Sequence, residues 1–196
     1  FEDEAVKKKV LASLDEVCEP DAIIATNTST IPISTLAAAV SEARRPRFIG
    51  THYFSPVHRM ALVEVILGFA TGEDTCESTM EICRSAGKVP IRVKDVAGFA
   101  VNRMLHAFMI EAVKLVEEGV ASPEDLDTAC RLGLGHPVGP FQLMDVVTAD
   151  LCVQAQEIMY EAYGERFRPP ALLKQRVRAG YGGGRGRPGW LTPPED

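Results

Sequence analysis

A histidine and a glutamate stand inside two short apolar stretches, at positions where a purely structural strand would carry neither. Residues 48–54 and 60–67 are each predicted to form a strand, with a turn that contains proline between them. Because side chains alternate along a strand, Glu64 falls on an apolar face, where a buried carboxylate requires a partner. The imidazole of His52, on the neighbouring strand, is the obvious candidate.

A histidine that is held by a carboxylate can act as a general base. The unperturbed pKa of histidine is about 6.5, and an acid bound to one ring nitrogen stabilises the imidazolium that forms when the other nitrogen takes a proton. The alternative is a hydrogen-bonded core histidine without chemistry, which is the commoner role of a single histidine on an apolar strand. Other residues must decide between the two.

Two neutral polar residues extend this set. Ser29 lies in a cluster of hydroxyls and an amide that follows a predicted buried strand at residues 22–26. Such a cluster is either a turn or helix cap, or a contact at the carboxyl edge of the sheet, where α/β proteins bind ligands. Asn102 stands in an apolar helix, which predicts a partner for it across the domain junction, either structural or catalytic. One base, one acid and two neutral hydrogen-bonding groups suit the removal of a proton from an alcohol whose carbon loses hydride.

The elements that must position these residues change character along the chain. Up to Asp95, strands alternate with helices, which predicts a parallel or mixed sheet with helices packed on it. The remaining predicted elements of this half are helices at 2–17, about 33–43 and 73–86, and a strand at 89–93. From Gly98 onward the periodicity is helical, with helices predicted at 99–118, from Ser122, 149–163 and 170–179. The predicted boundary between residues 1–95 and 96–196 therefore separates an α/β part from an all-helical part.

The glycine-rich tail GYGGGRGRPGW looks like a phosphate loop at first sight. Its glycines follow a helix rather than a strand, and no GK[ST] is present. The sequence therefore predicts a flexible terminus here.

Composition excludes several classes of protein. A net charge of −6 without a basic stripe argues against nucleic acid, and no apolar run approaches the ~18 residues of a membrane span. Five cysteines without a CxxC pair suggest neither disulfides nor a metal site, but reduced thiols inside a cell. The sequence does not distinguish the cytoplasm, the mitochondrial matrix and the peroxisome. The first residues resemble no signal peptide, and we expect the chain to be a fragment that starts within a fold.

Five segments resemble the L-3-hydroxyacyl-CoA dehydrogenases of fatty-acid β-oxidation, most closely the dehydrogenase part of the multifunctional enzymes. They are ATNTSTIPIS, GTHYFSPVHRMALVEVI, GKVPIRVKDVAGFAVNRML, EEGVASPEDLD and GHPVGPFQLMDVV. They occur in family order over nearly the whole chain, and together they are far more specific than any one of them.

The resemblance implies the C-terminal part of a Rossmann-like NAD-binding domain, followed by an all-α domain. It implies that His52 is the general base, that Glu64 is its partner, and that Ser29 and Asn102 hold the 3-oxygen of an acyl-CoA substrate. The implied contacts to NAD are Glu2, Lys7, Ser29, Ser55 and Arg185. A homodimer through the helical domain is also implied.

Three departures from the family pattern bear on these expectations. The glycine-rich turn that joins a strand to a helix and seats the pyrophosphate is absent, so we expect no useful dinucleotide affinity from this chain alone. Ser55 stands where the monofunctional enzymes carry Asn and multifunctional relatives carry Ser. Ala97 replaces the usual Pro before Gly-Phe, which should loosen the turn only slightly.

Two other functions compete with the dehydrogenase. A noncatalytic dimerisation or docking module would keep the polar residues as relics, and the missing glycine turn favours it. A related 3-hydroxy acid dehydrogenase that acts on a free acid would share the fold and the nicotinamide.

Overall fold

A computed structural model describes residues 3–191 of the chain. The chain forms two compact units, Phe1–Ala100 and Val101–Asp196.

The first unit is a four-stranded sheet flanked by helices. Its strands are β1 (Ile24–Thr26), β2 (Phe48–Tyr53), β3 (Leu62–Leu67) and β4 (Val89–Lys94), and its helices are α1 (Glu4–Val17), α2 (Ile33–Ala37) and α3 (Glu73–Ser85). The strand order is β1-β2-β3-β4, with β1 parallel to β2, β2 antiparallel to β3, and β3 parallel to β4. The mixed sheet with packed helices confirms the predicted α/β, Rossmann-like class.

The two faces of the sheet carry separate apolar cores. On one face, Phe48 and Ile66 pack with residues of α1 and α2. On the other, Ile49 and Val65 pack with the buried cysteines of α3. The period-two alternation of β2 and β3 therefore places helices on both faces.

Helix α2 ends at Ala37 and is therefore shorter than the predicted helix, which extended to about residue 43. Arg44, only 4% exposed, sends its guanidinium into the carbonyl oxygens that follow α1 and into the carboxylate of Asp15. A buried arginine needs this many acceptors. The chain between Ala37 and Arg44 is not helical, and the side chain of Arg44 reaches its acceptors from this segment.

The second unit is entirely helical over its described residues, as predicted. Its helices are α4 (Val101–Glu117), α5 (Pro123–Gly133), α6 (Pro140–Val147), α7 (Ala149–Tyr163) and α8 (Ala171–Arg178). Ser122 caps α5 by accepting the N–H of Asp125 at 3.1 Å, and Pro123 occupies the first turn.

The glycine-rich tail is docked over its described residues, so the prediction of a flexible terminus is wrong there. The carboxylate of Asp145 accepts the N–H groups of Trp190 at 2.7 Å and Leu191 at 2.9 Å. The indole of Trp190 is buried against the ring of Phe141, with 4.9 Å between ring centroids. An aromatic anchor and a carboxylate that accepts two backbone donors outweigh the chain entropy of the glycines.

No helix within residues 3–191 has the length and apolar character that a bilayer span requires. All five cysteines are free thiols, and four of them are buried. Burial raises the pKa of the Cys152 thiol to about 12.

We predict that the second unit loses stability as the pH falls, because of His106. This side chain on α4 is 7% exposed, its Nδ1 has no hydrogen-bond partner among the described residues, and burial lowers its pKa from 6.5 to about 4. Between these two pH values the unfolded chain takes a proton that the native chain refuses, so this contribution, about 3 kcal/mol, is present above the unfolded pKa and is lost as the pH falls toward 4.

Urea denaturation monitored by the fluorescence of Trp190, the single tryptophan, measures this loss. We expect His106→Leu to flatten the pH dependence of the free energy of unfolding in this range. The exposed His136, changed to Gln, is the matched control and should leave the slope unchanged. A leucine variant with the slope of the parent would contradict the prediction.

Candidate active site

His52 and Glu64 lie directly opposite each other on the antiparallel strands β2 and β3. The predicted contact between them is present: His52 Nδ1 lies 2.7 Å from Glu64 Oε2. Glu64 is fully buried and His52 is 4% exposed. Because a carboxylate can only accept, Nδ1 carries the proton and donates it to Glu64, which leaves Nε2 as the acceptor of a neutral ring.

Ser29 completes a chain of three hydrogen-bonded side chains. Its Oγ lies 3.0 Å from His52 Nε2 and donates to this nitrogen. The parallel pairing of Thr26 with Gly50 brings the loop after β1 to the carboxyl end of β2, where His52 stands. The group therefore sits at the edge of the sheet where α/β proteins bind their ligands.

Gly50 and Asp95 hold the loop of Ser29 in place. A Cβ on Gly50 would lie 2.5 Å from Ile33 Cδ1, so a larger residue here would displace the Ile33 side chain that packs α2 on β2. The carboxylate of Asp95 accepts the N–H groups of Ile33 at 2.8 Å and Ser34 at 2.7 Å, which fixes the start of α2. The sequence analysis did not assign Asp95 to the site and used this residue only to place the domain boundary. The signal that could have found it is an acidic residue close behind a predicted strand.

The second oxygen of Glu64 accepts the backbone N–H of Ala100 at 2.9 Å. This donor follows a turn in which Phe99 has a positive φ of 45°, a conformation that costs an L residue about 1–3 kcal/mol. The rings of Phe54 and Phe99 lie 4.6 and 5.8 Å from the ring of His52. A backbone donor cannot be predicted from a pattern of side chains, so the sequence analysis also missed the hydrogen bond between Ala100 and Glu64.

The other predicted residues have the following places. Lys7 Nζ donates to the carbonyl oxygen of Asn27 at 2.7 Å, so Lys7 adjoins the loop of Ser29. Ser55 is exposed in the loop after β2. Asn102 is half-buried in the first turn of α4, in the second unit. Glu2 lies outside the described residues.

Arg185 also lies in the second unit, where it is exposed. It lines a cavity of about 620 Å³ together with Arg131 and three carboxylates, those of Glu124, Asp127 and Asp145. The acids make this cavity less attractive to a phosphate than the two arginines alone would. The structure thus brings Ser29, His52 and Glu64 together and places Lys7 beside them.

The hydrogen-bonded chain can accept a proton at His52 Nε2 and stabilise the resulting charge through Glu64. The described residues contain no group of three His, Cys, Asp or Glu side chains arranged to hold a metal ion. Fold and site together define an α/β protein with a carboxylate-supported histidine at the carboxyl edge of its sheet, followed by a helical unit.

Comparisons with known proteins identify the family. Residues 1–96 match the family model for the NAD binding domain of 3-hydroxyacyl-CoA dehydrogenase, and residues 98–192 match the model for its C-terminal domain. The chain belongs to the 3-hydroxyacyl-CoA dehydrogenase family, as the resemblance predicted.

Individual relatives agree with this assignment. The chain is 41% identical over 181 residues to the probable 3-hydroxybutyryl-CoA dehydrogenase of Bacillus subtilis, covering 92% of this chain and 62% of that protein. It is 40% identical over 194 residues to the 3-hydroxybutyryl-CoA dehydrogenase of Mycobacterium tuberculosis, covering 97% and 67%. The crystal structure of (S)-3-hydroxybutyryl-CoA dehydrogenase from Ralstonia eutropha superposes with a TM-score of 0.94 at 40% identity, covering 100% of this chain and 69% of that one. The chain therefore spans roughly two thirds of the length of these relatives.

Proposed function

We propose that this chain is the C-terminal two thirds of an enzyme that oxidises L-3-hydroxyacyl-CoA to 3-oxoacyl-CoA with NAD, a step of fatty-acid β-oxidation. The observation that carries the proposal is the chain of hydrogen bonds Ser29–His52–Glu64 at the carboxyl edge of the sheet. Membership of the family supports the substrate class and the cofactor.

In the free site, the hydroxyl of Ser29 donates to His52 Nε2. When the substrate binds, its 3-hydroxyl replaces the Ser29 hydroxyl as the hydrogen-bond donor to His52 Nε2. The Ser29 hydroxyl then donates to the oxygen of the substrate. The alcohol proton passes to Nε2, while Glu64 stabilises the imidazolium and holds the ring through Nδ1. Bound NAD⁺ supplies the acceptor for the hydride that leaves C3. The resemblance alone assigns to Asn102 the role of second donor to the 3-oxygen.

The residues present fit the nicotinamide end of the cofactor. Hydroxyls of Ser29 and Ser55 and the cation of Lys7 lie in or beside the loops that follow the parallel strands β1 and β2, which is the ligand edge of such a sheet. Within residues 3–191, no turn with the G-x-G-x-x-G spacing leads from a strand into the N-terminus of a helix, and we propose that the pyrophosphate seat lies outside these residues. Contacts from Glu2 and from Arg185 remain proposals that rest on the resemblance. The five free thiols support an intracellular compartment.

We propose a homodimer that forms through the helical unit. Large apolar side chains on α5 to α7 are exposed, among them Leu132 at 82%, Val146 at 72% and Leu151 at 58%. Exposed apolar side chains in this number favour a protein interface. A second copy of the chain is the occupant that the resemblance implies.

We expect Leu132→Lys to shift the sedimentation coefficient from dimer to monomer, because a lysine would bring an unpaired charge into an apolar interface. Phe69→Lys is the control, since Phe69 is 93% exposed in the first unit. Equal dimer fractions in both variants would refute the helical interface.

The direct test of function uses a chimera that carries, in front of residue 1, the part of the Ralstonia eutropha enzyme that precedes its match to this chain. We expect this chimera to oxidise 3-hydroxybutyryl-CoA, followed at the reduced-nicotinamide absorbance. His52→Gln should lower kcat by at least ~10², as expected for loss of a general base. An assay with the free 3-hydroxy acid in place of the thioester distinguishes this activity from that of the related acid dehydrogenases.

The exposed His58, changed to Gln, is the matched control and should keep the parent kcat. Parent turnover in the His52 variant would remove His52 from the mechanism. A folded chimera that binds NAD but oxidises neither the thioester nor the free acid would favour the noncatalytic module.

Glu64→Gln should lower kcat less than His52→Gln, because the base remains while its anionic partner is lost. Without the anion, the imidazolium is less stable relative to the neutral ring. We therefore expect the acidic limb of the pH–rate profile to move to lower pH. A profile identical with that of the parent would show that Glu64 carries no charge that acts on His52.

A further inference from the structure

We propose that the backbone N–H of Ala100 is a positioning group for the His52–Glu64 pair, and that the left-handed turn at Gly98 and Phe99 holds it there. The proposal deepens the proposed function and rests on it, because it assigns a device that sets the catalytic pair. Ala100 is the last residue of the first unit, so all these residues belong to one compact body.

The two oxygens of Glu64 serve two different donors. Oε2 accepts from His52 Nδ1 at 2.7 Å, and Oε1 accepts from Ala100 N at 2.9 Å. Glu64 is 0% exposed, so neither oxygen can exchange its protein donor for bulk water. A carboxylate accepts at both oxygens, whereas an amide accepts at one and donates at the other. The pair of donors therefore selects an ionised glutamate in one orientation.

The turn that delivers the N–H is unusual in its backbone. Gly98 has a φ of 71° and Phe99 a φ of 45°, and the second of these is rare for a residue with a side chain. The turn is closed by the N–H of Phe99, which donates to the carbonyl oxygen of Val96 at 3.0 Å. Backbone strain of this kind persists where the surroundings impose it, and it clusters at functional sites.

The ring of Phe99 is what imposes the turn. It is 2% exposed and belongs to the apolar core formed with α1, α2 and β2. The same ring lies 5.8 Å from the ring of His52. Burial of the Phe99 ring thus offsets the backbone strain and orients the N–H of Ala100 toward Glu64. The same ring covers one side of His52.

The test replaces the N–H by an oxygen that cannot donate a hydrogen bond. Replacing Ala100 by lactic acid through nonsense suppression, in the chimera described above, turns this amide into an ester and keeps the methyl group. We expect kcat for 3-hydroxybutyryl-CoA to fall about tenfold, as for the loss of a hydrogen bond to a charged group, with KM changed by less than about twofold.

A double-mutant cycle separates positioning from a general structural effect. In Glu64→Gln, the oxygen of the new amide meets the His52 donor, so its NH₂ group faces the Ala100 N–H and two donors oppose each other. The ester removes this clash, so we expect it to raise kcat of Glu64→Gln while it lowers kcat of the parent. An ester that lowers kcat by the same factor in both backgrounds would overturn the proposal.

The matched control is an ester at Phe141, whose N–H donates to the buried carboxylate of Asp127 at 2.8 Å in the second unit. It removes the same kind of bond at a structural helix start. We expect lower stability and an unchanged kcat in both backgrounds of position 64.

A readout without turnover keeps this proposal distinct from the proposed function. In ¹⁵N-histidine NMR spectra of the four histidines, we expect His52 to carry its proton on Nδ1, and the ester at Ala100 to reduce the fraction of this tautomer. Phe99→Ala, which keeps the N–H but removes the ring that holds the turn, should have the same effect. An unchanged tautomer in the ester and in Phe99→Ala would overturn the positioning role, whether or not the chimera oxidises the substrate. If the chimera with its native backbone is inactive, the proposed function fails and the NMR spectra still decide this one.

Discussion

The structure of the first unit depends on a buried carboxylate. Glu64 lies in the middle of an apolar strand with no exposed surface, and an ionised group in that place is tolerated because it accepts hydrogen bonds, among them one from the strand beside it and one from the turn after β4. Each donor belongs to a different part of the chain. Through these hydrogen bonds the carboxylate on β3 connects β2 with the last residue of the first unit.

This arrangement determines what His52 can do. With Nδ1 committed to Glu64, the ring presents Nε2 to the loop of Ser29, at the edge of the sheet where the parallel strands β1 and β2 end. Gly50 allows α2 to lie close to the sheet, and Asp95 holds the first turn of α2, so the loop before it has little freedom. The chemistry requires one base in one tautomer, and the packing of the surrounding elements supplies it.

Much of this was accessible from the sequence, because it follows from periodicity. Strand alternation was enough to predict that His52 and Glu64 share a face and touch, and the change from period two to helical spacing was enough to predict the two halves. The end of α2 was misjudged because Arg44, of a residue type that is mostly exposed, is buried and donates to several carbonyl oxygens. The tail was misjudged because glycine content argued for flexibility, while Asp145, more than thirty residues earlier, accepts its backbone donors. Donors and acceptors that are distant in sequence leave no local pattern, and the Ala100 amide and the Asp95 carboxylate were missed for this reason.

Glu64 must be an anion inside the protein if it is to stabilise the imidazolium of His52. Isotope-edited infrared difference spectroscopy of the chain against its Glu64→Gln variant, at a pH near neutrality, observes that carboxyl group directly. We expect the difference spectrum to contain a carboxylate stretching band that belongs to the parent and is absent from the glutamine variant. A band of a protonated carboxylic acid in its place would contradict it, because a neutral Glu64 could not stabilise the charge that His52 acquires.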